Sequence, residues 1–309
     1  MTPVLSLRED LALDPDAVLG LLSDPIAAQA GFRPTSCLAT VLKRSHRRLI
    51  VRYDLEGGER TAAVVGKWYT TERGALVAQA LSALRANGFA GREHDVPPLI
   101  TYVPHVRALF TESVDGTLMR EVLRTDPSIA KRAGSWLAAF HASSFVSPRS
   151  CGPAKQRRAL ARWSGEQPIL SALASQLDEF LAEAQDPGLP VHYDFYHSQI
   201  LVTPERTVVL DLDEAGMGDP AFDLAHFEAH LRLLALQWYG DPEAFEPAIQ
   251  HFREGYRGKA GRLPEPAGAG GGLRGYAWFK LAFQALRRGA PEEEWRFAMA
   301  AAGESASTS

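Results

Sequence analysis

The chain has 309 residues, 46% hydrophobic and 23% charged, enough to bury one large core or two smaller ones. Thirty-three Lys and Arg against thirty-seven Asp and Glu leave a net charge of −4 and no strongly basic segment, which removes the electrostatic case for nucleic acid or anionic lipid as a partner. With two cysteines (Cys37 and Cys151), no basic-then-apolar leader and no apolar run approaching the roughly 18 to 20 residues of a spanning helix, the sequence reads as a cytoplasmic protein with no membrane contact. Its Arg- and Ala-rich usage suits a bacterial source.

Residues 13 to 31 predict a helical opening, with Asp14 or Asp16 as cap, Pro25 as an interruption and Gly31 as the stop. Three stretches rich in β-branched and apolar residues follow, 37 to 43, 48 to 55 and 61 to 68, separated by Arg44-Ser45-His46-Arg47 and Glu56-Gly57-Gly58-Glu59. A helix over 71 to 87 and two further apolar segments, 99 to 103 and 107 to 112, complete a five-strand antiparallel sheet with one packed helix. Beyond Asp115-Gly116 the pattern is helical at 117 to 124, 127 to 143, 164 to 184, 220 to 238, 242 to 256 and 272 to 288. Strand character returns only at 200 to 203 and 207 to 212, on either side of Pro204-Glu205-Arg206, as a hairpin. Leu263 to Gly272 reads as a flexible connector and 303 to 309 as a disordered tail.

These elements predict an α+β, bilobal chain. Residues 1–113 are expected to form a smaller β-rich N-terminal lobe and 114–302 a larger helical lobe, with a ligand cleft where they join.

The stretch VHYDFYHSQILVTPERTVVLDLDEAGMGDPAFDLAHF, residues 191 to 227, concentrates the chemistry. Phosphoryl transfer from a nucleotide needs a carboxylate to orient and deprotonate the acceptor hydroxyl, and oxygen ligands to hold Mg²⁺ on the phosphates. Asp194 and Gln199 share one loop, and the hairpin returns Asp211 and Asp213 to its mouth. This stretch resembles the aminoglycoside phosphotransferase and choline kinase superfamily, whose loop runs H-G-D-x-x-x-x-N and whose metal strand runs I-D-[WF]-[ED] before G-D-P-x-x-D-L-A. His192, Asp194, Asp211, Asp213 and Gly218 to Ala225 match in register. Gly66-Lys67-Trp68 resembles the lysine-bearing strand, 111 to 123 the hinge, and WLAAFHAS at 136 to 143 the helix ending in L-x-x-L-H.

The resemblance implies a protein-kinase-like fold and transfer of the γ-phosphate of ATP or GTP to a small-molecule hydroxyl, by a monomer or homodimer. It makes Asp194 the catalytic base, Asp211 the main Mg²⁺ ligand and Gln199 the second. Lys67 becomes the cation on the α- and β-phosphates, and Glu112, Ser113 and Val114 the hinge holding the nucleotide base. Asp223 and His192 are expected to be architectural.

The sequence departs from the family pattern in several places. Tyr193 replaces the loop glycine, and Gln199 stands where most members carry Asn, although maltokinase-like members also have glutamine. The turn Lys43 to Arg48 lacks G-x-G-x-x-G and offers basic side chains to phosphate instead. Glu72 and Gln79 are the candidates to partner Lys67. Glu214, Asp219 and Glu228 favour a cationic acceptor, aminoglycoside- or choline-like, with a sugar still open. The alternative from another class is a nucleotide-binding pseudokinase with a regulatory role.

Overall fold

Alternation builds the first sheet. In β2 (Arg48–Gly57), Leu49, Val51, Tyr53 and Leu55 are buried and the residues between them stay partly exposed, the period of a strand covered on one face. The protein is described by a computed structural model covering residues 3–91, 93–266 and 270–307. The chain divides into two units, Met1–Gly116 with Val208–Asp213, and Thr117–Thr207 with Glu214–Ser309. The segment carrying Asp211 and Asp213, expected in the helical lobe, therefore belongs to the first unit.

In the first unit, β1 (Ser36–Arg44), β2, β3 (Arg60–Tyr69), β5 (Leu99–Val103) and β6 (Ala108–Glu112) form the expected five-stranded antiparallel sheet, in the order β1-β2-β3-β6-β5. The two-residue strand β4 (His94–Asp95) lies outside it. Helices α1 (Pro3–Leu13) and α2 (Pro15–Ala30) precede the sheet, so the helical opening is two helices and begins earlier than periodicity suggested. Asp14 caps α2 by accepting from the amides of Asp16 and Ala17, Pro25 stays inside the helix, and Gly31 ends it at φ +72°. Val18, Leu22 and Ile26 share one core with the sheet residues. Buried Tyr53 satisfies its hydroxyl by donating to the Ala12 carbonyl and accepting from Trp68 Nε1, both at 2.8 Å. Helix α3 (Arg73–Ala86) packs beside β5.

The second unit is mostly helical. Its helices are α4 (Met119–Val122), α5 (Ala130–His141), α6 (Pro153–Glu166), α7 (Ser171–Glu183), α8 (Pro220–Tyr239), α9 (Glu246–Ala260), α10 (Gly270–Arg287) and α11 (Glu292–Ser307). Helices α5 and α9 meet through Gly134 and Gly255: a Cβ on the first would sit 2.0 Å from the Phe252 carbonyl oxygen, and on the second 1.9 Å from that of Lys131. That close approach sets His141 of α5 beside Tyr256 of α9.

Several elements differ from the sequence reading. Residues 117 and 118 form a strand, β7 (Thr117–Leu118), paired with β9 (Ile200–Val202), where helix was expected. Two more short strands, β8 (Leu189–Val191) and β11 (Gly216–Gly218), pair with each other. Strand β10 (Thr207–Val209) ends two residues before Asp211. Helix α6 escaped notice because Arg- and Lys-rich positions dilute its apolar face to buried Leu160. The tail expected to be disordered continues α11 to Ser307, with Ala306 buried; residues 308 and 309 lie outside the described residues. Of the expected connector, 267–269 also lie outside them, and 270–272 open α10. No helix among the described residues is long and apolar enough to cross a membrane.

Candidate active site

In the first unit, β3 carries Lys67, and the turn after β10 carries Asp211 and Asp213. Lys67 Nζ donates to Asp211 Oδ1 at 2.9 Å and Asp213 Oδ1 at 3.2 Å. Arg48, the first residue of β2, donates from Nη2 to Asp211 Oδ2 at 2.7 Å and from Nη1 to Asp211 Oδ1 at 3.1 Å, and also pairs with Asp213. Tyr69 donates its hydroxyl to Asp213 Oδ1 at 2.9 Å. Two carboxylates thus face two cations. Asp211 takes φ +59°, a left-handed conformation that costs a non-glycine residue about 1–2 kcal/mol and that this ion-pair cluster offsets. Burial alone would raise the Asp211 pKa, but Lys67 and then Arg48 hold it well below the carboxylate range. Burial likewise opposes the charge on Lys67, and Asp211 and Asp213 override it, raising its pKa.

This arrangement corrects two sequence readings. Lys67 pairs with neither Glu72 nor Gln79: Glu72 accepts from Arg107 and from Tyr102 Oη, while Gln79 is exposed on α3. The basic turn is also not a uniform phosphate cradle. Arg44 pairs with Glu9, Arg48 with the aspartates, and Arg47 donates to His46 Nε2 at 3.2 Å.

At the proposed hinge, Glu112 ends β6 opposite Val64, and its amide donates to the Pro98 carbonyl at 2.9 Å. The Ser113 amide donates to the Ala63 carbonyl at 2.8 Å and its hydroxyl accepts from Arg52 at 3.0 Å; Val114 follows outside the strand.

In the second unit, Asp223 fixes the loop that leads to Asp194. Its Oδ2 accepts the His192 amide at 2.6 Å and its Oδ1 the Tyr193 amide at 2.7 Å. His141 bridges Asp223 Oδ2 (3.1 Å) and the Tyr256 hydroxyl (2.9 Å), tying the loop to the α5/α9 contact. Asp223 is thus architectural as expected, although the cap of α8 is Asp219. Tyr193 occupies the place of the family's glycine at φ +65°, so the loop keeps the left-handed turn that glycine would adopt freely. Its ring is buried against Phe222, with Lys155 Nζ 3.8 Å from the ring centroid.

Asp194 follows. Lys280 Nζ, from the middle of α10, donates to Asp194 Oδ1 at 2.9 Å and to the Tyr193 carbonyl at 2.7 Å. Asp194 borders a cavity of about 270 Å³ lined also by Arg120, Tyr196, His197, Ser198 and His230. Burial, then Arg120, lowers the His197 pKa to about 3. Gln199 closes the short turn His197–Gln199, its amide donating to the Tyr196 carbonyl at 2.9 Å.

The acidic residues expected to favour a cationic acceptor are otherwise engaged. Glu214 pairs with Arg149 and Lys155, Glu228 pairs with Arg253, and Asp219 caps α8 by accepting the Ala221 amide at 2.9 Å. Sequence reasoning missed Lys280. Its signal was a single lysine inside YAWFKLAF, an apolar run in which a buried ammonium requires a carboxylate partner. Trp278, Phe279 and Phe283 on the same helix are core, as read.

Asp211 and Asp213 offer hard oxygens of the kind Mg²⁺ takes together with nucleotide phosphates and water, and the Gln199 amide oxygen is of the same class, so the donor types fit that ion. No group of three or more His, Cys, Asp or Glu among the described residues forms a complete cage.

Residues 48–262 match the phosphotransferase enzyme family, APH. "Protein LicA homolog" of Metamycoplasma hominis is 28% identical over 173 residues, 53% of this chain and 68% of that protein. Among solved structures, choline kinase from Cryptosporidium parvum Iowa II superposes with a TM-score of 0.65 at 11% identity, covering 94% of each chain. A thermostable mutant of aminoglycoside phosphotransferase APH(4)-Ia, in ternary complex with AMP-PNP and hygromycin B, gives 0.61 at 15% identity over 92% of this chain and 97% of that one. With the family match spanning more than half of the sequence, and the fold shared with choline kinase and aminoglycoside phosphotransferase, the chain belongs to the phosphotransferase enzyme family.

Proposed function

We propose that the protein transfers the γ-phosphoryl group of ATP or GTP to a hydroxyl of a small molecule. The observation that carries this reading is Asp194, a carboxylate oriented by Lys280 at the edge of a cavity of about 270 Å³. A general base has to stand within reach of the proton it takes, and its rotamer has to be fixed before substrate arrives. In this reading Asp194 accepts the proton of the attacking hydroxyl, and no covalent enzyme intermediate forms.

Lys67 and Arg48 supply the cations that turn from Asp211 and Asp213 toward the donor phosphates. The Glu112 to Val114 backbone holds the nucleotide base. Asp211 is the main magnesium ligand and Gln199 the second. Mg²⁺, when bound, neutralises charge on the donor phosphates. The AMP-PNP complex of the aminoglycoside phosphotransferase with this fold supports a nucleotide donor. Action in the cytoplasm, as monomer or homodimer, belongs to the same proposal.

One feature favours the pseudokinase alternative: Arg48 already occupies both carboxylates that would meet the metal. The test is acceptor-dependent release of label from γ-labelled ATP and GTP with Mg²⁺, across hydroxylated acceptors. Labelled product supports the enzyme. Nucleotide binding without product from any acceptor supports the alternative.

A further inference from the structure

Resting on the phosphotransferase reading, we propose that the acceptor at Asp194 carries an acidic group, carboxylate or phosphate, beside its reacting hydroxyl, and that Arg120 is the counter-charge that selects it. The cavity belongs wholly to the second unit, and Asp194 is the sole carboxylate in its lining. That carboxylate already carries Lys280 as its ion-pair partner. Of the two lining guanidiniums, Arg288 is neutralised by Glu294, which also accepts from Gln237 at 2.8 Å. Arg120 makes no ion pair among the described residues. Its guanidinium stands 5.5 Å from the Trp238 ring centroid, a contact that leaves its charge and donors available to an anion. The imidazoles of His197 and His230 are uncharged near neutral pH, and with Tyr196, Ser198, Gln237 and Gln284 they give a polar lining that suits hydroxyl groups.

A cationic acceptor has less to bind. Recognition of an ammonium needs a spare carboxylate or an uncovered aromatic face. Glu214 and Glu228, the acids that the sequence offered for a cation, do not line the cavity and pair with Arg149, Lys155 and Arg253. Trp238, the large ring nearest Arg120, is faced by two guanidiniums, those of Arg120 and Arg124 at 5.5 and 4.2 Å. The cavity volume also sits just below the roughly 300–1,000 Å³ of drug-sized sites, which favours a compact acceptor over a multi-ring one.

The test is calorimetric titration of the full chain, with Mg²⁺ and a non-hydrolysable ATP analogue present. Two matched sets serve as probes: glycerate, glycerol 3-phosphate, glycerol and 3-aminopropane-1,2-diol; and gluconate, glucose 6-phosphate, glucose and glucosamine. The proposal expects the acid of at least one set to bind about tenfold or more tightly than its neutral and amino counterparts. Which acid wins separates carboxylate from phosphate. Arg120→Gln should erase that preference while leaving nucleotide affinity unchanged, and Arg120→Glu should reverse it. Equal or tighter binding of the amino compounds, no binding by any acid, or a preference that survives Arg120→Gln overturns the proposal. Nucleotide affinity on the same samples, with Asp211→Asn as control, reports separately on the phosphotransferase reading.

Discussion

Lys280 reaches Asp194 from a helix 86 residues further along the chain, and one ammonium holds both the Asp194 carboxylate and the Tyr193 carbonyl before it. In the proposed reaction Lys280 is a positioning residue, acting through Asp194 as the base. Lys280→Met should lower kcat about 10- to 100-fold with little change in nucleotide affinity. Lys280→Arg, which keeps a cation on the carboxylate, should recover part of that rate. A merely structural lysine would lower the amount of active enzyme without lowering the turnover of the folded fraction.

Arg48 and Lys67 balance Asp211 and Asp213. Arg48→Ala leaves two buried carboxylates with one cation, and removing one partner of a buried pair costs about 3–5 kcal/mol. The melting temperature should fall, and Mg²⁺ should restore more of it in the variant than it adds to the parent. Thermal unfolding with and without Mg²⁺ checks this; an equal Mg²⁺ response in both proteins counts against Asp211 as a metal ligand.

At Tyr193 two effects compete. Tyr193→Gly relieves a left-handed residue, worth about 1–2 kcal/mol. It also deletes a buried ring, and such deletions cost about 3–5 kcal/mol. The ring wins, so the variant should be less stable by about 2 kcal/mol, read by urea unfolding. A more stable variant would mean that the packing around Phe222 and Tyr276 contributes little.

Three buried imidazoles link stability to pH: His197, whose pKa burial and Arg120 lower to about 3, and His226 and His230. Burial, followed by Lys280 for His226 and by neighbouring imidazoles for His230, holds both pKa values well below the ordinary 6.5. The unfolded chain therefore takes up protons near pH 6.5 that the folded chain refuses. Their contribution is fully present above that pH and shrinks as pH falls, by about 1.4 kcal/mol per pH unit for each imidazole. Unfolding free energies at pH 7.5 and 5.5 should show this loss. His230→Asn should remove about a third of the slope that the three contribute; an unchanged slope would exclude His230.

The five-stranded sheet was legible because its apolar residues alternate, as Leu49, Val51, Tyr53 and Leu55 do, and because turn residues separate its strands. Strands of two or three residues, such as β7 and β8, carry too few positions to show a period. Asp194, Gln199 and Asp211 were legible as a local spacing. Their partners were not: Lys280 lies 86 residues from Asp194, and Arg48 lies 163 from Asp211. Ion pairs that close across such distances leave no periodic trace. Arg48 looked like one more member of a basic turn until the fold put a carboxylate on it. Asp223, by contrast, could be read as a loop anchor because it lies in the matched run Gly218 to Ala225, in the first turn of α8.

The most direct measurement is the single-turnover rate of phosphoryl transfer from γ-labelled nucleotide for the parent and for Asp194→Asn, at matched nucleotide occupancy. The account predicts a rate lower by about 10²- to 10⁴-fold in the variant, with nucleotide affinity unchanged. Equal rates in the two proteins would contradict the assignment of Asp194 as the base.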